Sequence, residues 1–140
     1  MLSQVRDICH RFGISESVFK GLVDIQLQDT VFVATEDVMS FDLVRPMRRG
    51  LRFCRMFPRS VKPTTFAMQV LGRSATRNCI DVDNQTARQL VNGSQVEIDA
   101  GPDVENGFVL IRCQGFVLGT GLYKRPLLKS QIPKYRPVEE

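Results

Sequence analysis

Gly107–Pro133, reading GFVLIRCQGFVLGTGLYKRPLLKSQIP, is the stretch from which the fold can be read. Two apolar runs, Phe108–Cys113 and Phe116–Tyr123, are separated only by Gln114-Gly115. Short runs rich in Phe, Val and Ile, joined by a two-residue connection containing Gly, predict a β-hairpin. Both runs are apolar at nearly every position, so each strand is expected to be buried on two faces, as in a small closed barrel. Gly119 and Gly121 lie two residues apart on one face of the second strand. Missing side chains there mark a bulge, a barrel corner or a close approach of another backbone. Lys124, Arg125, Lys129 and Lys134 follow at once. A buried hairpin, a bare glycine face and a basic exit predict a platform for something anionic.

The rest of the composition limits the alternatives. A chain of 140 residues suits one domain, or two very small ones sharing a core. With 43% hydrophobic and 24% charged residues, an ordered globular protein is expected. No apolar run approaches the roughly 20 residues that a bilayer-spanning helix needs. The first residues, MLSQVRDICHRF, mix charges into the apolar positions and lack the h-region of a signal peptide, so a cytoplasmic protein is expected. Cys9, Cys54, Cys79 and Cys113 are scattered without a C-x-x-C, and His10 is the lone histidine. They are read as buried free thiols rather than as a zinc site, and no cofactor is expected.

Charge is segregated along the chain. Arg45, Arg48, Arg49, Arg52, Arg55, Arg59, Lys62, Arg73 and Arg77 follow one another without an intervening acid. Lys124, Arg125, Lys129, Lys134 and Arg136 do the same, while the acids fall before Leu43, between Asp81 and Glu105, and at Glu139-Glu140. Two separate basic segments favour an electrostatic footprint for phosphate over a solvated face balanced by acidic neighbours.

Leu2, Val5, Ile8, Cys9 and Phe12 have helical spacing, with Gly13 as the stop. Ser15 caps a second short helix carrying Val18, Phe19 and Leu22. Val23, Ile25 and Leu27 alternate with polar residues as in a half-buried strand, Val31–Ala34 is a second strand, and Thr35 caps a single turn through Ser40. Leu51–Phe57 reads as a strand with an arginine row on its wet face. The stretch Pro58–Pro63 (PRSVKP) is the expected boundary between a unit at 1–60 and one at 61–140. Beyond it come a helix capped by Thr64 or Thr65 and bearing Phe66, Ala67, Val70 and Leu71, and then a strand at Asn78–Val82. Asp83 caps a further helix with Ala87, Leu90 and Val91 inward and Gly93 at its end, and a strand with Val96 and Ile98 follows. The turn-rich segment Asp99–Asn106 leads into the opening hairpin.

The order strand, helix, Gly-Ser, strand, turn, hairpin, basic exit resembles a PUA domain. NCIDVDNQTARQLVNGSQVEI is similar to that family's first strand, helix and second strand. GFVLIRCQGFVLGTGLYK followed by LLKSQIPK is similar to the C-terminal PUA-like domain of Nol/Nop/Sun-type RNA cytosine-5 methyltransferases. The resemblance covers about residues 62–136. It implies an α+β chain, a small N-terminal accessory α/β unit followed by a PUA-like β pseudobarrel with one main helix.

What the resemblance implies about function is RNA binding without catalysis. Those methyltransferases also need a Rossmann-type domain for S-adenosylmethionine and cysteines in Pro-Cys and Thr-Cys motifs. In this chain no cysteine follows Pro or Thr, and the length leaves no room for that domain. Gly119-Thr120-Gly121 lies within a strand, so it is not a dinucleotide loop. No set of nucleophile, base and oxyanion donors assembles, and His10 is read as a surface or half-buried residue. Carried onto this sequence, the family's RNA face would hold Arg73, Arg77, Gly119, Gly121, Lys124, Arg125 and Lys129, with cations on phosphates and glycines admitting the RNA backbone. Pro126 interrupts the exit and leaves the roles of Lys124 and Arg125 open. Tyr123 is open to stacking on a base or packing in the core, and Phe116 is read as core. The expected partner is structured RNA, tRNA or rRNA, with a separate RNA-modifying subunit in addition. The alternative is a protein-interaction or ribosome-assembly adaptor with a basic surface.

Overall fold

The computed structural model describes residues 1–39 and 50–133. Ser40 of the expected short turn, Arg45, Arg48 and Arg49 of the first basic segment, and Lys134 and Arg136 of the second lie outside the described residues.

Helix α1 (Ser3–Phe12) buries Val5, Ile8, Cys9 and Phe12, spaced so that one stripe faces inward. It stops at Gly13, whose φ of 61° sets the left-handed turn that a side chain disfavours. Ser15 caps a single 3₁₀ turn at Glu16–Phe19 by accepting from the Ser17 N–H. Four strands then form an antiparallel sheet in simple order: β1 (Leu22–Leu27), β2 (Thr30–Thr35), β3 (Leu51–Phe57) and β4 (Ser60–Pro63). The one-turn helix α2 (Glu36–Met39) follows β2. The stretch PRSVKP, expected as a boundary, is itself ordered as a turn and a strand. Phe57 pairs with Ser60 across the turn Pro58-Arg59, and β4 runs back along β3 as an edge strand. Pro63 is tolerated at its end because an edge position need not supply a ladder donor.

Helix α3 (Thr65–Leu71) begins at Thr64, whose hydroxyl accepts from the Ala67 N–H. The second sheet has the order β5-β7-β8-β9-β6. Its strands are β5 (Cys79–Asp81), β6 (Gln95–Glu97), β7 (Gly107–Cys113), β8 (Phe116–Lys124) and β9 (Leu127–Ser130). Only β5 and β7 are parallel. Helix α4 (Asn84–Val91) carries the chain from one edge of that sheet to the other and is capped by Asp83, which accepts from the Thr86 N–H at 2.7 Å. Ala87 and Leu90 point inward as expected, whereas Val91 is exposed. The hairpin β7–β8 turns on Gln114 and Gly115, both at positive φ, which matches the strand twist.

The described residues form two apolar clusters. One packs the second sheet against α4 and the loop before β7, joining Ile80, Leu90, Val104, Val109, Ile111, Tyr123 and Leu128. The other draws Phe12, Phe19, Val31 and Phe53 from the first half together with Ala67, Met68, Leu110 and Val117 from the second. Polar groups join the same halves. Arg11 donates to the carbonyls of Glu105, Asn106 and Phe108 and pairs with the Glu105 carboxylate at 2.9 Å. Buried Asn78 donates to the Arg11 carbonyl at 2.7 Å and accepts from the Glu105 N–H at 2.9 Å.

Candidate nucleic-acid interface

Register decides which side of β8 each residue occupies. Directly paired residues share a face of the sheet, and faces alternate along a strand. Gly119, Gly121 and Tyr123 share one parity, and all three point inward. A Cβ on Gly119 would meet Ile132 Cγ1 at 2.7 Å and the Thr65 side chain at 2.9 Å. One on Gly121 would meet the Cδ1 atoms of Ile111 and Leu128, each at 2.9 Å. These glycines make room for side chains of the core and of α3, not for an RNA backbone. Tyr123 is 0% exposed; its hydroxyl donates to the Ile98 carbonyl at 2.8 Å and accepts from the Ala100 N–H at 3.2 Å. Base stacking on Tyr123 is thereby excluded in this conformation, and the open choice resolves to core packing.

Arg125 is also drawn inward. Its guanidinium donates to Asp99 Oδ1 at 3.1 Å and to the carbonyls of Gly101 and Val104 at 2.6 and 2.8 Å, and it lies 5.3 Å from the Tyr123 ring centre. It ties down the Asp99–Asn106 loop. Lys124 and Lys129 do the opposite. Leu122 pairs with Lys129 and Lys124 with Leu127, so all four stand on the outer face of β8–β9. Both lysines are exposed and neither has an ion-pair or hydrogen-bond partner among the described residues.

Arg73 and Arg77 are exposed in the segment between α3 and β5. Arg77 lies 3.9 Å from Glu105, which Arg11 also holds. Arg73 has no partner among the described residues. It stands two residues before Ala75, whose carbonyl accepts from Arg112, and Arg112 pairs with Val117. Lys124 lies seven residues further along β8, roughly 23 Å of extended chain. The cations chosen from sequence thus form separate groups rather than one patch.

Three acids of the second half are engaged with structural arginines: Glu105 with Arg11, Asp81 with Arg112, and Asp99 with Arg125. Asp83 caps α4, and Glu97, paired with Leu127, stands on the same outer face as Lys124 and Lys129 without an ion pair among the described residues. Arg52 on β3 is exposed without a partner among the described residues, and Lys62 on β4 reaches only Gln131 Oε1 at 3.0 Å. The arginine row expected on this strand is present, with Arg55 paired to Asp29 at 3.1 Å.

Sequence reasoning missed two aromatic residues. Phe66, named only as one of the apolar residues of its helix, and Phe116, read as core, are 64% and 66% exposed, and Val70 is 61% exposed. On α3 the buried positions are instead Thr65, Ala67, Met68 and Leu71. The apolar spacing of so short a helix fits more than one phase. The exposed tip position of Phe116, beside the turn, was the available signal for the second.

The thiols are suited to packing. Burial pushes Cys54 up to about 12, and burial with the Glu16 charge pushes Cys9 up to about 11. Burial also raises Cys79, against the opposing charge of Arg112. A thiol so shifted stays protonated at neutral pH and is a poor nucleophile. Among the described residues no three His, Cys, Asp or Glu side chains are grouped to hold a metal ion.

Comparison with known proteins gives the same architecture. Residues 77–136 match the family model described as the methyltransferase RsmF PUA domain, the C-terminal PUA domain of Nol/Sun-type methyltransferases. PUA domains bind RNA in general. The solved structure of a conserved PUA domain protein from Thermoplasma acidophilum superposes with a TM-score of 0.54 at 13% identity, over 86% of this chain and 72% of that one. That likeness shows a PUA-like fold. No curated protein matches the sequence.

Proposed function

We propose that this chain is a non-catalytic RNA-binding module that docks structured RNA, tRNA or rRNA, and works beside a separate RNA-modifying enzyme. The observation that carries the reading is the division of labour among the cations. Carboxylates neutralise the arginines that hold loops in place, while Lys124, Lys129, Arg73 and Arg52 stand exposed without a counter-ion among the described residues. Cations outside any ion pair on a sheet face and at a helix exit suit the phosphates of a folded RNA, whose backbone supplies most of the affinity. The PUA match over residues 77–136 supports the same class of ligand.

The test is fluorescence anisotropy with bulk tRNA across a salt series, for the wild type and for K124E/K129E. Contact with about four phosphates gives a log K against log salt slope of about −3 to −4. The double reversal should weaken binding and flatten that slope by about two phosphates' worth. Absence of binding near physiological salt, or binding untouched by the reversal, overturns the reading. The exposed apolar side chains Phe66, Val70 and Phe116 favour a second reading, a protein-interaction or ribosome-assembly adaptor. That reading predicts no preference for folded RNA over an unstructured strand of equal length.

A further inference from the structure

A groove of about 460 Å³ runs between the β3–β4 hairpin, the start of α3 and β8. That volume falls within the range of small-ligand sites, roughly 300–1,000 Å³. Arg52, Arg55 and Lys62 line it, and no carboxylate among the described residues does. Arg55 and Lys62 are direct cross-strand partners. Like charges at facing positions disfavour a sheet pair, and among the described residues only Arg55 has a carboxylate, Asp29, to relieve it. Phe66 stands at the rim, largely exposed and therefore not held there by the core. Thr64, Thr65 and Gln131 add polar but neutral groups to the lining, and Thr120 lies beneath it, fully buried.

Cations, a free aromatic face and a neutral polar floor within one small groove match the three parts of a nucleotide. We infer that this groove holds one unpaired nucleotide of the bound RNA, its phosphate against Arg52 and Lys62 and its base against Phe66. The inference rests on the RNA-binding reading above and adds a second contact, at the opposite end of α3 from the turn that carries Arg73. A folded RNA docked by its backbone would thus also be selected for an extruded base, since stacking on an aromatic ring is tolerant of sequence.

Two RNA stems test this, identical except that one carries a single bulged nucleotide and the other is fully paired. Anisotropy should show the wild type binding the bulged stem about ten-fold more tightly, the size of one stacked base. Phe66→Ala should erase that preference while leaving the paired stem's affinity unchanged; its exposed position keeps the fold intact, which a thermal melt checks. R52E/K62E should also erase the preference, whereas K124E/K129E should weaken both stems alike. Equal affinity of the wild type for the two stems sinks the groove proposal and leaves the RNA-binding reading standing. A preference that survives Phe66→Ala also sinks it. Failure of either stem to bind overturns both. Displacement of the bulged stem by a poly-glutamate peptide as readily as by a short single-stranded RNA would assign the groove to an acidic peptide instead.

Discussion

Gly121→Ala separates a packing glycine from an RNA-contacting one. The added methyl would sit 2.9 Å from both Ile111 Cδ1 and Leu128 Cδ1 and 3.2 Å from the Lys129 carbonyl oxygen. Ile111 and Leu128 are both 0% exposed, so neither can swing into solvent, and the carbonyl belongs to the neighbouring strand β9. Overpacking a closed site of this kind costs about 1–3 kcal/mol. For 140 residues, an unfolding entropy of about 2.1 cal/mol/K per residue converts that into a Tm lower by about 3–10 °C. Differential scanning calorimetry reads the shift. Ile111→Val removes one of the two clashing atoms at a cost of about 0.5–1.5 kcal/mol by itself. Combined with Gly121→Ala it should melt higher than the sum of the single losses allows, with a coupling of about 0.5 kcal/mol or more. RNA affinity, measured well below the transition, should not change. A variant that melts with the wild type yet binds RNA poorly would refute the reasoning and return Gly121 to the interface. Strict additivity with Ile111→Val would refute the assigned clash.

Two further predictions concern other parts of the core. Tyr123→Phe keeps the ring but strips the Ile98 carbonyl and the Ala100 N–H of their shared partner, so urea denaturation should show a loss of about 1–3 kcal/mol with RNA affinity unchanged. Reduced affinity at full stability would place the ring against RNA instead. The buried thiols set an alkaline limit, because folded Cys54 titrates at about 12 and Cys9 at about 11 against an ordinary value of 9.0. Above pH ~9 the unfolded chain loses thiol protons that the folded chain keeps, so their contribution to stability is intact below that pH and declines as pH rises toward the folded values. Thermal melts from about pH 7.5 to about pH 10.5 should show Tm falling in the upper part of the range, and Cys54→Ala should lessen the fall; an equal fall in the variant would remove Cys54 as a cause.

Much of the fold was legible where a local rule fixes the backbone. Gln114-Gly115 between two apolar runs gave the hairpin, and Gly13, Thr64 and Asp83 marked helix ends because each answers a need of the helix terminus. Strand β4 was hidden because Pro58 and Pro63 read as breakers, although one sits in a turn and the other at the end of an edge strand. The site was less legible for a related reason. Gly-x-Gly in a strand shows that space is needed but not by whom; only the tertiary arrangement shows Thr65, Ile132, Ile111 and Leu128 arriving to fill it. Arg125 and Lys124 are adjacent cations in sequence, yet one turns toward a loop of carbonyls and the other away from it. Composition cannot tell a bound cation from an unbalanced one.

The Arg11 and Asn78 contacts across the two halves have a consequence for how the molecule comes apart. Arg77, where the family match begins, donates its backbone N–H to Phe12 in α1, and Leu110 and Val117 of the hairpin lie in a cluster built largely from the first half. A fragment cut at that residue would carry the inherited pattern but leave Asn78 with its side-chain N–H groups facing the place Arg11 has vacated. The segment recognisable by ancestry and the segment that unfolds as a cooperative unit therefore have different borders, and heat should dissolve both halves in one transition rather than peel the first from the second.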